Sequence, residues 1–279
     1  TSVQKSNLVQ AFVPYKVSSI TPVIVDAETT FLILNTTVQY DSSKTTFEAS
    51  EISSLVNTTI SNYNDSNLQT FIAPFRHSKL LALVDNTDTS ILNNTTTVIM
   101  GKFITPILNQ SLSYRLNFNN KFYNPHSGHN SEMGGVISST GFSMSSIDAT
   151  REYFFDDDGA GNLRIYYLVA GTRVYQSSSA GTVDYVNGFI TINSLIISAI
   201  SNVDGASSTK IRVTAIPASY DVIPVRNQIL EIDTVNTNIT ASVDATAATG
   251  VGYTTTQTSS GGSSTTVTTV SSTPSSSAY

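Results

Sequence analysis

The clearest pattern of apolar and polar positions lies in residues 23–104. Residues 31–40 are rich in β-branched and aromatic side chains, which predicts a strand. Over residues 47–63, apolar side chains recur three and four positions apart, which predicts a helix with one apolar face toward the sheet. That face comprises Ile52, Leu55, Val56, Ile60 and Tyr63.

Signals around this helix extend the prediction to a complete unit. Thr45 lies three residues before Glu48, the spacing of a capping box, which predicts the helix start. A second, shorter helix is predicted from Ser78. Residues 98–100 then supply a strand that could pair with the first, so residues 23–108 are predicted to form a β-α-α-β domain. The inward-facing residues of the second helix would be Leu80, Leu81 and Val84.

From residue 109 onward, short alternating segments are separated by turn residues. This pattern favours an antiparallel β-rich domain over residues 109–244, and with it an α+β, mainly β fold class. Residues 1–22 are predicted to be an extended lead-in. The segments with strand character are 114–118, 153–155, 163–169 and 210–216.

A hairpin is the strongest local signal in the β-rich region. Residues 181–192 read Gly-Thr-Val-Asp-Tyr-Val-Asn-Gly-Phe-Ile-Thr-Ile. Asn187-Gly188 tolerates the positive φ angles that a two-residue type I′ turn demands, so such a turn is predicted between Val186 and Phe189.

The C-terminal segment, residues 245–279, consists almost entirely of Ser, Thr, Gly and Ala. It has too little apolar surface to fold alone. Residues 251–256 and 265–270 have the β propensity to add a strand to another subunit's sheet edge. The segment is therefore predicted to lie extended across a neighbouring chain as a clasp.

Composition narrows the classes of function. Charged residues make up 12% of the chain and the net charge is −6, with no basic stripe, which argues against a nucleic-acid partner. The chain has no cysteine, so disulfides, a thiol nucleophile and cysteine-ligated zinc are excluded. No apolar run reaches the roughly 20 residues of a membrane span, so no membrane partner is expected.

Two clusters resemble metal sites, and each has a structural alternative. His126, His129 and Glu132 could be drawn as metal ligands, but residues 120–135 read as an exposed loop without a scaffold for them.

The aspartates at 156–158 resemble a calcium loop, although Ala160 and Tyr167 occupy positions where ligands are required. A hairpin turn explains these aspartates as well, and weak calcium binding stays open.

No motif for nucleophilic catalysis or for nucleotide binding occurs, so neither an enzyme nor a cofactor is expected, and no catalytic, cofactor or metal residue is assigned. A carbohydrate-active enzyme is a further alternative, because its two catalytic carboxylates can be distant in sequence and adjacent only in the folded chain. Such an enzyme would need a deep cleft with two facing carboxylates.

Several segments resemble, in the same order, the large baseplate wedge subunit of contractile-tailed (myovirus) phages, of the baseplate J-like family. The resemblance covers residues 23–240 of this chain and is to the middle to C-terminal portion of the wedge subunit. It is weaker over residues 105–180, where only the strand pattern and Ser-Ser-Thr-Gly-Phe at 138–142 agree. The segments that carry it are Arg-His-Ser-Lys-Leu at 76–80, Val-Asp-Asn-Thr-Asp-Thr-Ser-Ile at 84–91, the hairpin at 181–190 and Arg-Asn-Gln-Ile-Leu at 226–230.

The resemblance implies a structural protein of the virion tail baseplate, assembled in the host cytoplasm. Its implied partners are a second copy of itself, other wedge subunits and hub or tail-tube-proximal proteins, in a ring that rearranges on tail contraction. The alternative is a receptor-binding or adhesin-like β protein of a virion or cell surface, because low charge and many Ser, Thr and Asn residues suit it equally. The α/β segment at 23–104 distinguishes these two alternatives, because an adhesin built from β repeats would not require such a segment.

Overall fold

The computed structural model describes residues 2–15, 27–129, 135–203 and 205–244. It begins with helix α1, Ser2–Phe12, followed by a single 3₁₀ turn, Val13–Tyr15. The prediction of an extended lead-in is wrong for this part, because the segment has helix-forming Leu and Gln residues and neither Gly nor Pro before Pro14. The predicted clasp at residues 245–279 lies outside the described residues.

The predicted β-α-α-β order is confirmed. Strand β1, Glu28–Tyr40, is followed by helices α2, Ala49–Asn67, and α3, His77–Asp85, and by strand β2, Ile91–Ile104. The two strands pair antiparallel along most of their length. Both helices pack on one face of this pair and bury their apolar stripes against it.

The apolar stripe of α2 differs from the prediction at one position. Val56, Ile60 and two further members of the stripe are buried, whereas Leu55 is half-buried. At 3.6 residues per turn, Leu55 lies at the margin of the stripe. The capping box also lies three residues later than predicted, since the Glu48 amide donates to Glu51 Oε2 at 2.8 Å.

Four later strands complete the sheet around β1 and β2. β11, Ile211–Ala215, pairs with β2, and β4, Ile137–Ser139, pairs with β11. On the other side, β12, Gln228–Ile232, and β13, Asn238–Val243, lie end to end along β1 and run parallel to it. The boundary at 108/109 stays a prediction, but strands from both sides of it share this sheet.

A second, fully antiparallel sheet contains seven strands in the order β10-β5-β6-β7-β8-β9-β3. Each of the segments predicted to be strands after residue 109 lies in one of the two sheets. One cluster of buried apolar side chains extends through both sheets. The bounds are β3 Ser111–Asn117, β5 Phe142–Met144, β6 Asp148–Asp157, β7 Asn162–Val169, β8 Thr172–Asp184, β9 Phe189–Ile196 and β10 Ala199–Ile200.

The β8–β9 hairpin exists, but its turn is not the predicted two-residue type I′ turn. Asp184 pairs with Phe189, so four residues form the loop, and of these only Gly188 has a positive φ, 69°. The Asp184 carboxylate accepts hydrogen bonds from the amides of Val186 and Asn187, which winds the loop into a helical turn. Glycine is required at 188 because a Cβ there would lie 2.0 Å from the Asn120 carbonyl oxygen.

Candidate functional site: joints, edges and exposed faces

A buried carboxylate joins the two sheets. Asp157, the last residue of β6, is 0% exposed. Its Oδ1 accepts hydrogen bonds from the amides of Val136 and Ile137 at 2.9 and 2.8 Å, where the first sheet's β4 begins. Its Oδ2 accepts from the Tyr185 hydroxyl at 2.7 Å, in the β8–β9 loop. Burial, followed by the bond to Asp157, raises the pKa of Tyr185 far above its ordinary value, so this hydroxyl remains a donor.

The neighbouring carboxylate belongs to a separate network on the opposite face of β6. Asp156 forms ion pairs with Arg164 Nε and Arg173 Nη1, each at 2.9 Å, and accepts a hydrogen bond from the Tyr175 hydroxyl. Burial raises the pKa of Asp156, while the two guanidinium groups oppose that rise. Arg173 also lies over the Tyr166 ring, 4.6 Å from its centroid. This network fixes the β6–β7–β8 hairpins to one another.

The third aspartate shapes a turn. Asp158 accepts hydrogen bonds from the amides of Ala160 and Asn162 and from the Asn162 side chain. The three consecutive carboxylates therefore serve three different structures and do not converge on one point. The hairpin-turn interpretation therefore fits Asp158, whereas Asp156 and Asp157 belong to strand β6, and all three carboxylates accept hydrogen bonds within the chain.

The histidine loop is held against the same turn. His129 Nδ1 lies 3.3 Å from His126 Nε2, and the Gly128 amide donates to the Gly159 carbonyl. Glu132, the third proposed ligand, lies outside the described residues. The loop is not wholly exposed as predicted, because Phe122 is fully buried in the core.

The described ranges contain neither a candidate metal site nor a candidate membrane-spanning helix. Within residues 2–15, 27–129, 135–203 and 205–244, no three His, Asp or Glu side chains converge where they could hold a metal ion. None of the helices in those ranges is both long enough and apolar enough to cross a bilayer.

An uncharged polar face covers the part of one side of the first sheet where β13, β1 and β2 lie next to one another. In β1, β2 and β13, alternate side chains point away from the helices and are exposed, and strand pairing places them in adjacent rows. The alternate side chains on the other side of these strands are mostly apolar or β-branched and pack against the helices, so only this side is polar. The face comprises Asn35, Thr37, Gln39, Asn93, Thr95, Thr97, Asn238, Thr240 and Ser242.

An exposed apolar pair lies at the opposite end of this sheet. Phe71 and Ile72 are 57% and 63% exposed. Ile72 has a φ of 64°, which is rare for a β-branched residue. A bridge between Phe71 and Ile229 and a hydrogen bond from the Gln69 amide to the Leu230 carbonyl hold the pair in place. Exposed apolar side chains on a fixed backbone suit a protein contact.

Sequence reasoning missed the joint at Asp157, the uncharged face and the Phe71–Ile72 pair. A signal existed for the joint: in the alternating run at 153–157, the position of Asp157 matches that of the apolar residues. The uncharged face could have been found only with the pairing of β1 and β13, which are distant in sequence.

Taken together, these features define an α+β, mainly β structural module with polar joints inside and uncharged surfaces outside. A family model described as baseplate structural protein gp6, C-terminal domain III, matches residues 28–103. The chain is thus similar to that family over its β-α-α-β unit, and the match supports a structural role in a phage baseplate. No match was found among curated proteins.

Proposed function

We propose that the protein is a structural subunit of a phage tail baseplate wedge, of the baseplate J-like family. In this role it links wedges into a ring around the hub and changes its contacts when the tail contracts. The observation that carries the proposal is the family match over residues 28–103, which coincides with β1, α2, α3 and most of β2. Because the matching domain belongs to a protein described as structural, we expect this protein to act through its interfaces and not through catalysis.

The surfaces of the described residues fit this role. The uncharged face on β1, β2 and β13 can be buried against a partner without desolvating ions, which is the costly part of burying a polar surface. Phe71 and Ile72 add exposed apolar area at the other end of the sheet. The proposed partners are a second copy, other wedge subunits and hub or tail-tube-proximal proteins, with assembly in the host cytoplasm and residence in the virion.

Labelling of virions tests the proposal. Gold-conjugated antibodies raised against this chain should decorate the tail baseplate of the encoding phage, in both extended and contracted particles. Label at fibre tips alone, or none on the virion, would favour the adhesin-like alternative. When this chain is co-expressed with the other wedge proteins, it should co-purify with them. A wedge that assembles without it would contradict the linking role.

A further inference from the structure

We propose that β13 is a docking edge for a second copy of this chain. The two β13 strands pair antiparallel, with Ala241 of one copy opposite Ala241 of the other, and the two first sheets become one continuous sheet. This inference deepens the proposed function and rests on it for the partner, a second copy, while the edge and the register are argued from the backbone and side chains of β13.

The direction of the backbone groups in β13 follows from one hydrogen bond. The Asp244 amide donates to the Tyr40 carbonyl of β1 at 2.8 Å, so Asp244 faces β1. Because backbone groups alternate along a strand, those of Ile239, Ala241 and Val243 face away from β1. Among the described residues, no hydrogen bond reaches these outward groups.

The neighbouring strand shows what a closed edge looks like in this protein. β12 lies along the same side of β1, and its outward groups are occupied. The Ile232 amide donates to Asn64 Oδ1 at 2.7 Å, and the Leu230 carbonyl accepts from the Gln69 amide at 2.9 Å. The end of α2 thus closes the β12 edge, whereas no described residue hydrogen-bonds to the outward backbone groups of β13.

The side chains of β13 also leave its edge unprotected. Proteins usually guard an exposed edge with charged residues, proline or a bulge. β13 reads Asn-Ile-Thr-Ala-Ser-Val, with no charge and no proline, and it pairs with β1 without a bulge. An unguarded edge of this kind is suited to pairing with another strand.

Alternation also selects the register. Opposite residues of an antiparallel pair exchange two hydrogen bonds only if both face the partner. A centre at Ala241 uses all three outward residues of each copy, because Ile239 then lies opposite Val243 on both sides of the axis. A shift by two residues in either direction leaves one outward residue of each copy unused.

This register is also compatible with the charges nearby. It places Asp244 opposite Asn238, so no carboxylate faces another. Thr240 lies opposite Ser242 on the uncharged face, which continues from one copy into the next. On the helix side, Val243, which is 44% exposed, gains an apolar neighbour in Ile239.

Disulfide trapping tests the register, because the chain has no cysteine of its own. Thr240 and Ser242 of opposite copies would form a non-hydrogen-bonded pair, the closer type and the one suited to a disulfide. A mixture of Thr240→Cys and Ser242→Cys proteins should therefore crosslink into heterodimers under mild oxidation. Each variant alone should crosslink far less, because its cysteines would be diagonal neighbours about 7–8 Å apart. Equal crosslinking in all three samples, or none, would overturn the register.

Mass measurement in solution tests the edge itself. The wild-type chain should give a dimer, and Ala241→Pro should give the 29.9 kDa monomer because it deletes an outward N–H that β1 does not use. Ala241→Val, which keeps that N–H, should remain dimeric. Deletion of residues 245–279 should leave the dimer intact; a dimer lost on that deletion would make the C-terminal segment the occupant instead. A wild-type monomer at every concentration would refute the inference and leave the virion labelling result unaffected.

Discussion

At the scale of single residues, the most consequential side chain is Asp157. Asp157→Ala would leave the buried amides of Val136 and Ile137 and the Tyr185 hydroxyl without their acceptor. Each unsatisfied buried group costs about 1–3 kcal/mol, so we expect a loss of about 4 kcal/mol in the free energy of unfolding, measured by urea denaturation.

Two variants serve as controls for Asp157. Asp157→Asn keeps an oxygen that can accept both amides, so it should lose less than half as much stability as the alanine variant. Asp158→Ala removes a carboxylate of the same charge from the adjacent turn and should cost about 1 kcal/mol. Equal losses at 157 and 158 would contradict the joint between the sheets.

A second residue-scale prediction concerns acid sensitivity. The hydrogen bond from the Asn187 side chain is the main cause that lowers the pKa of Asp184 below 3.8, and the bond from Arg76 does the same for Asp221. The native state then binds fewer protons than the unfolded state. The stabilisation is present above the unfolded pKa and is lost as the pH falls through the folded pKa.

Unfolding midpoints should therefore decrease between about pH 5 and pH 2. Asp184→Asn should flatten this decrease, because it removes the titrating group while an amide oxygen can still cap the turn. Asp156, whose pKa is raised by burial, contributes with the opposite sign and only partly offsets the trend. A variant profile parallel to that of the wild type would show that Asp184 is not linked to stability.

At the scale of elements, α2 gives a sharp test of packing. Val56 is 0% exposed, so Val56→Asp places an unpaired charge in the core and should cost at least about 4 kcal/mol. Leu55→Asp, next to it at the margin of the stripe, should cost about 1 kcal/mol or less. The prediction fails if the two variants have the same denaturation midpoint, because Leu55 would then be as much a part of the buried stripe as Val56.

The elements also show how far the sequence could predict the fold. Periodicity predicted α2 and the strand character of β1 and β2, since both depend on local pattern, whereas the pairing of these two strands was inferred from the order of the elements. It misplaced the capping box because Thr45–Glu48 and Glu48–Glu51 have the same spacing. The Asn187-Gly188 turn was mistaken because the Asp184 side chain, which dipeptide preference ignores, reshapes the loop. The parallel pairing of β12 and β13 with β1 joins distant segments, and no local pattern encodes it.

At the scale of the whole molecule, the candidate surfaces were the least predictable part. The resemblance over residues 23–240 predicted a baseplate protein, and the family match over residues 28–103 supports this within the β-α-α-β unit. The uncharged face and the β13 edge require the three-dimensional order β13-β1-β2. Composition predicted their low charge but could not tell that uncharged residues from three separate segments share one face.

The last prediction concerns cooperativity. One apolar cluster extends through both sheets, and Asp157 bonds them directly, so the described core should unfold as one unit despite the boundary predicted at 108/109. Hydrogen exchange under native conditions measures this, because the slowest amides of β1 and β7 should share one opening free energy within about 1 kcal/mol. Asp157→Ala should lower both together. If the opening free energy of β1 were instead several kcal/mol lower than that of β7, the β-α-α-β unit would be a separate domain, even though later strands of the chain pair with it.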